Sequence, residues 1–338
     1  MRLPSNSTVH LRDKRSEKIN KARKSVGISR SIHYKNKWAL VMKHKYLYLL
    51  FLTPAIITAL LFQYRPMVGI VMAFQKFDIS AGSYLTSPFI GFENFKMFLL
   101  NPRFYQALRN TLGLSLMSLF IVFPLPIVFA LMLNEINRVN FKRVVQTITY
   151  LPHFISWVVV ATMVYKMVDP GSGMINRIIT SLGNETIPFM RESQYFWSIT
   201  IISSIWKELG WSAIIYIAAI SSIDPQLYEA ALMDGAGRFK MIWYITLPSI
   251  SSTIALMFIL KVSTIISSGG LFDAVYNLSN PMVNEKSYTL EMYSYYEGIM
   301  SGNYSYATAI TLTQSVVGLI LVIGANEIYK KITSKSVF

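Results

Sequence analysis

Residues 224–248 read DPQLYEAALMDGAGRFKMIWYITLP and lie between two long apolar segments. Asp224 followed by Pro225 is typical of a helix start, because the carboxylate caps free N–H groups and the proline ring suits the first turn. Gly235 predicts the end of that helix about three turns later. A second short helix is expected over 238–244. The segment therefore predicts a helical elbow.

The composition of the elbow suggests a docking surface. Ala230 and Ala231 leave a smooth helix face that a partner can approach closely, and Glu229 and Asp234 offer carboxylates to basic groups. A force applied here would pass into the flanking helices. The alternative interpretation is an amphipathic loop that lies on the membrane surface.

Outward from the elbow, the chain is apolar almost throughout. Of its 338 residues 53% are hydrophobic and 14% are charged, against about 25% charged in a soluble domain. Six apolar segments are long enough to cross about 30 Å of hydrocarbon. The prediction is an all-α membrane protein with six transmembrane helices, placed near 46–66, 107–133, 148–168, 195–222, 246–267 and 306–329.

The distribution of charge predicts the topology. Residues 1–45 hold thirteen of the 32 Lys and Arg side chains and only two acids, a net charge of +11 out of +15. By the positive-inside rule this basic tail stays in the cytoplasm, and both termini are expected there. An uncleaved first span is favoured over a signal peptide, because the basic lead is too long. The predicted domains are a tail at 1–45 and a six-helix membrane domain at 46–332.

Several functional classes are excluded by what the sequence lacks. There is no cysteine, and His153 alone among four histidines lies near a predicted span, so we expect no metal site. No Gly-x-x-x-x-Gly-Lys-Ser/Thr loop occurs, so no nucleotide is expected to bind in that way. The basic charge sits in a leading arm rather than on a folded face, so nucleic acid is not an expected partner.

The fourth predicted span carries Trp206, Lys207, Glu208 and Trp211 near its middle. Ionisable residues at this depth cost a few kcal/mol and normally face protein or a watery cavity. Lys207 and Glu208 are adjacent and point in different directions, so at least one is expected to face the interior. A contact to a substrate and an interhelical ion pair are both open interpretations.

Lys261 in the fifth span raises the same question. Together with Lys207 it would favour an anionic ligand, although Lys261 is near enough to a helix end to reach the interface instead. Beyond this span, Phe272, Asp273 and Tyr276 are candidate contacts in a tyrosine-rich outer segment. Tyrosine also populates membrane interfaces in general, which explains most of the others.

The elbow resembles the coupling-loop signature of bacterial ABC importer permeases, which reads Glu-Ala-Ala, three residues, Gly, nine residues, Ile, one residue and Leu-Pro. Other parts of the chain resemble one branch of the carbohydrate importers, the branch for oligosaccharides and polysaccharides that includes alginate-importer-like permeases. These parts are 150–157, 205–225 and the last span. The signature positions here are Glu229, Ala230, Ala231, Gly235, Ile245, Leu247 and Pro248.

The resemblance implies a type I importer permease in the bacterial cytoplasmic (inner) membrane, with the coupling loop at 223–248. The implied partners are a second homologous permease subunit, two ATPase subunits that hold ATP and Mg, an extracytoplasmic solute-binding protein and an oligosaccharide. The chain itself would bind no cofactor and catalyse no reaction. The coupling residues would be Glu229, Ala230, Ala231, Asp234, Gly235, Leu247 and Pro248.

Two other functions remain as alternatives. An integral-membrane enzyme acting on glycans would need paired acids, an activated serine or a metal cluster at membrane depth, and only Glu208 is placed there. An ion-coupled secondary transporter would be favoured by inverted repeats and broken helices, and the sequence shows neither.

Overall fold

The computed structural model describes residues 45–77 and 86–333. The predicted basic tail therefore lies outside the described residues, apart from the backbone of Lys45. The contacts divide the chain into two compact units, with the boundary between residues 69 and 70.

The first unit contains one interrupted helix. Helix α1 spans Lys45–Ala59, a π turn follows at Leu60–Tyr64, and α2 spans Arg65–Met67. Large apolar side chains, among them Phe51 and Phe62, are exposed. A helix that is apolar all round suits contact with lipid.

The second unit is built from short and long helices in succession. A 3₁₀ segment at Val68–Phe74 leads into it. Its helices are α3 (Glu93–Leu100), α4 (Pro102–Met117), α5 (Pro124–Asn134), α6 (Val139–Tyr150), α7 (Trp157–Met167), α8 (Met174–Ser181), α9 (Phe196–Ser221), α10 (Pro225–Met233), α11 (Arg238–Met241), α12 (Leu247–Ser249), α13 (Ser251–Ser263), α14 (Phe272–Leu278), α15 (Asn284–Ser287), α16 (Leu290–Tyr293) and α17 (Tyr304–Thr333).

Helix α9 is 26 residues long and packs against α5 and α6. Two apolar clusters flank it. The larger contains Leu114, Phe196 and Tyr293, and the smaller contains Ala213 and Ile250. The described residues form no β-strand, only an isolated bridge near the start of the second unit. The all-α prediction is confirmed for these residues.

Two predicted spans are bent in the structure. The helical runs Val139–Phe154 and Trp157–Met167 meet at 102°, inside the span expected at 148–168. Pro152 lies in a 3₁₀ turn, the backbone of Ile155 is extended, and Ser156 caps the new helix. Because these residues end one helix and start another, the segment expected as the third span is sharply bent, and its crossing of the membrane stays a prediction.

The second bend separates Arg238–Ser249 from Ser251–Ser263 by 62°. Pro248 and the non-helical backbone of Ile250 mark it. Within the described residues, three helices are long and apolar enough to cross a membrane, or five if each bent pair is one span. Helix α9, expected as the fourth span, is not among them, so the count of six stays a prediction. The three that do not belong to a bent pair are Leu49–Phe74, Pro102–Asn134 and Tyr304–Thr333.

Candidate coupling elbow and transport pathway

The elbow forms as the sequence predicts. Asp224 Oδ1 accepts a hydrogen bond from the backbone N–H of Gln226 at 3.0 Å and caps α10. Gly235 ends the helix with a φ of +71°, a conformation that glycine adopts without strain. The next residue, Ala236, donates its N–H to the Ala231 carbonyl at 2.9 Å. Both ends of the helix are therefore fixed by local hydrogen bonds.

Two contacts hold the elbow in place. The Tyr228 hydroxyl hydrogen-bonds to Thr246 Oγ1 at 2.9 Å, which joins the first arm of the elbow to the second. Arg238 Nε lies 3.8 Å from Glu135 Oε2 at the end of α5. Thr246 itself is buried. The first contact thus joins the two arms of the elbow, and the second joins the elbow to the end of α5.

The outer surface of the elbow is open. Glu229, Ala230, Asp234, Gly235 and Pro248 are exposed, and Ala231 and Leu247 are half-buried. Large apolar side chains share this surface: Met233 is 88% and Phe239 is 89% exposed. The sequence reasoning did not single out these two residues, although large apolar side chains in a charged connection are a signal for docking.

Lys207 and Glu208 form a charged cluster with His153. The Lys207 ammonium donates to the His153 carbonyl at 2.5 Å and lies 3.3 Å from Glu208 Oε1. Glu208 Oε2 lies 2.7 Å from His153 Nδ1. The Trp211 ring stacks on the imidazole with 4.3 Å between ring centroids. The cluster therefore ties α9 to the bend after α6.

Burial separates the roles of the two charges. Lys207 is 5% exposed; its ammonium donates to the His153 backbone carbonyl, and its ion pair is with Glu208 on the same helix rather than between helices. Glu208 instead lines a cavity of about 330 Å³ between α5, α9 and α13. His153 is the partner that sequence spacing could not indicate, because it lies on another helical element.

Lys261 lines the same cavity as Glu208, with Tyr216 and Thr264. Its ammonium donates to the Gly269 carbonyl at 2.7 Å, in the turn that follows α13. The cavity thus combines one carboxylate, one ammonium, hydroxyls and apolar walls. This mixed cavity, lined by Glu208, Lys261, Tyr216 and Thr264, can bind a polar ligand by hydrogen bonds and orient it.

The remaining candidates lie elsewhere. Trp206 lines an apolar cavity of about 520 Å³ beside α7 and α8. Phe272 and Tyr276 are ring neighbours at 5.7 Å, whereas Asp273 is exposed. The structure therefore does not collect all candidate pathway residues at one site. The described residues contain no cluster of His, Cys, Asp and Glu suited to a metal ion.

Comparison with known proteins identifies the chain. Residues 122–333, which include the elbow and the mixed cavity, match the family described as binding-protein-dependent transport system inner membrane component. The chain belongs to this family. The permease is thus a transport component of a binding-protein-dependent, or ABC, system rather than an enzyme, and neither alternative function is supported.

Relatives extend the match over most of the permease. The permease is 41% identical to the protein LplB of Bacillus subtilis (strain 168), and the match covers 89% of the permease and 94% of LplB. It is 43% identical to the polygalacturonan/rhamnogalacturonan transport system permease protein YteP of the same organism, over 88% of its length and 92% of YteP.

The fold also matches a solved transporter. A chain in the crystal structure of a bacterial ABC transporter involved in the import of the acidic polysaccharide alginate is 39% identical, with a TM-score of 0.78. The match covers 88% of the permease and 99% of that chain. The type I importer permease fold expected from the elbow signature is therefore confirmed.

Proposed function

We propose that the permease imports oligosaccharides, and specifically acidic ones, through a cavity that opens alternately to each side of the membrane. The observation that carries the transport mechanism is the elbow: its signature spacing, its fixed ends and its open apolar surface. A rigid elbow joined to α9 and α13 can convert motion of a partner into rocking of those helices.

The same proposal includes the assembly. A second homologous permease, two ATPase subunits and an extracytoplasmic solute-binding protein complete the importer, and ATP and Mg bind only to the ATPases. The alginate transporter has also been crystallised in complex with an alginate pentasaccharide-bound periplasmic protein. Six spans within 46–332 in the bacterial inner membrane, both termini in the cytoplasm and the tail at 1–45 as a topology anchor are parts of this proposal.

Within the elbow, each residue has a proposed part. Glu229 and Asp234 pair with basic groups of an ATPase, Ala230 and Ala231 allow close approach, and Gly235 makes the turn. Leu247 and Pro248 lie where the elbow enters the next helix, just before the 62° bend.

Two observations support the proposal that the substrate is an acidic saccharide. YteP is a polygalacturonan/rhamnogalacturonan permease by its description, and the solved transporter imports alginate, both acidic polymers. In the permease itself, Lys261 lines the mixed cavity. An ammonium pairs with a sugar carboxylate by a charge-assisted hydrogen bond.

The elbow is tested with Glu229→Lys in the assembled importer. We expect ATP-driven uptake to fall at least tenfold, because the exposed carboxylate becomes a charge that repels a basic partner, while membrane insertion is unchanged. Glu327→Lys, an equally exposed change on α17, is the matched control. Wild-type uptake by the Glu229 variant would refute the docking role.

The substrate charge is tested with Lys261→Met. Uptake of digalacturonate should fall at least fivefold more than uptake of neutral galactobiose, since only the acid loses a charged partner. Lys207→Met is the comparison, because its ammonium binds a backbone carbonyl and its loss should reduce both rates equally. Equal losses in the Lys261 variant would remove the argument for acidic cargo.

A further inference from the structure

A second polar cavity lies on the other side of the segment that contains Lys261. It measures about 530 Å³ and opens between α13, α14, the π segment Ser294–Met300 and α17. Lys261 and Thr264 line the mixed cavity, whereas Ser263 and Ser267 line this one. Small-molecule sites occupy about 300–1,000 Å³, so the space suits a sugar ring.

The lining of this cavity is unlike that of the apolar cavity beside Trp206. Hydroxyls and an amide line it, and none of them belongs to the candidate residues of the sequence analysis. Most of these groups already hydrogen-bond within the chain through their donors, and their oxygen atoms can still accept hydrogen bonds from water or a polar ligand. The polar side chains are Ser263, Ser267, Ser294, Thr311, Gln314 and Ser315.

Glu291 is the charged group of this cavity. Its Oε2 atom is buried and has no hydrogen-bond partner among the residues that the structure describes. Burial raises the pKa of Glu291 above its ordinary value; the nearby Ser268 hydroxyl opposes this shift, and the charge of Asp273 adds to it. A buried carboxylate oxygen without a donor costs free energy, so the retention of Glu291 at this point needs a reason.

The position of Glu291 is fixed by its neighbours. The Leu290 N–H donates to Thr111 Oγ1 at 2.8 Å, and the Asn110 side chain donates to the Tyr288 carbonyl at 3.0 Å. Tyr293 is fully buried and its hydroxyl hydrogen-bonds to that of Tyr306. The backbone thus holds the carboxylate in the cavity on a rigid support, as a binding site requires.

Aromatic rings complete the cavity wall. Phe272 and Tyr295 both line it, and Tyr276 lies between them, with ring centroids 5.7 Å from Phe272 and 5.4 Å from Tyr295. Aromatic faces pack on the apolar face of a ring, while a hydroxyl such as that of Tyr295 can serve its polar edge.

We propose that this cavity is a saccharide subsite in which the Glu291 carboxylate accepts hydrogen bonds from sugar hydroxyls and Phe272 and Tyr295 pack on the ring. A carboxylate repels a sugar carboxylate, so the subsite takes the hydroxyl edge of a uronate. The inference rests on the proposed import of saccharides and adds a site to it.

Uptake kinetics of the assembled importer test the subsite with digalacturonate and galactobiose as probes. Glu291→Ala should raise KM at least tenfold for both, and Glu291→Gln, which keeps one acceptor oxygen, about threefold. The rate at saturation should change less than twofold. Glu285→Ala, an exposed change on the neighbouring helix, is the matched control and should leave KM unchanged.

The outcomes separate the two proposals. If the unmodified importer carries neither probe, the proposed function fails. If it carries them and both Glu291 variants keep the original KM, only the subsite is overturned, and the cavity holds water alone.

A second measurement is independent of Glu291 and of the folding of its variants. The chain has no cysteine, so Ser315→Cys places a single thiol in the cavity wall. Digalacturonate, delivered by the binding protein, should slow maleimide labelling of this thiol at least threefold. Ser301→Cys, exposed and outside the cavity, should label at the same rate with and without the sugar. If the Ser315→Cys variant is labelled at the same rate with and without digalacturonate, the subsite is overturned.

Discussion

The elbow at 223–248 and the outer segment at 268–303 are both chains of short helices, yet they are stabilised in opposite ways. Neither α10 nor α11 contains a buried residue. In the outer segment, α16 buries three of its four residues.

Hydrogen bonds show the same contrast. The ends of the first elbow helix are fixed by residues two to five positions apart. The outer segment depends on side chains of distant helices: Asn110 donates to the Tyr288 carbonyl, and Trp197 donates to the Lys286 carbonyl. The difference teaches that the elbow leaves its large apolar side chains exposed, whereas the outer segment buries its own against the rest of the permease.

The largest effect on stability is expected from Tyr293→Ala in the outer segment. The side chain is fully buried among Phe104, Tyr288 and Tyr306, and removing a buried aromatic costs about 3–5 kcal/mol. Thermal unfolding in detergent should show it. Tyr293→Phe removes only the hydroxyl and should cost about 1 kcal/mol. Equal losses for the two variants would show that ring packing does not stabilise this segment.

An intermediate effect is expected from Gly235→Ala in the elbow. No heavy atom lies within 4 Å of the added Cβ, so the cost of about 1–2 kcal/mol comes only from the left-handed backbone. Gly237→Ala is the matched control, because Gly237 has a φ of −76° and equally open surroundings. The unfolding free energies of the two variants measure the difference. If they are the same, local backbone geometry does not shape the elbow.

The smallest effect on stability is expected from Phe239→Ala. The ring is exposed, so the unfolding free energy should change by less than about 0.5 kcal/mol. ATP hydrolysis stimulated by the loaded binding protein should nevertheless fall at least fivefold. Phe120→Ala, also exposed but on a predicted span, should leave stimulation intact. Normal stimulation in the Phe239 variant would show that this surface is not used for docking.

The elbow was predictable because its signals are local. Asp224 and Gly235 act within a few residues of themselves, so their types and spacing already indicate where the helix begins and ends. The bends at Ile155 and Ile250 were not predicted, although Pro152 and Pro248 lie just before them. Proline within a membrane helix is compatible with a continuous span when neighbours satisfy the backbone, so its presence alone does not indicate a bend.

The site residues divide in the same way. The sequence identified Lys207 and Glu208 as unusual, because charge at membrane depth is costly. It could not assign Lys207 to the His153 carbonyl, since that contact joins residues 54 positions apart. Glu291 was missed because an acid in a connection between spans is normally solvated, and only the tertiary structure shows that its Oε2 atom is buried.

The amino-acid sequence by itself determined the all-helical class, the elbow and the family, because helix periodicity, capping and signature spacing act over short distances along the chain. Tertiary structure alone decided which charged groups pair, which line a cavity and which apolar side chains stay exposed. Those properties depend on helices far apart in sequence that come together only in the fold.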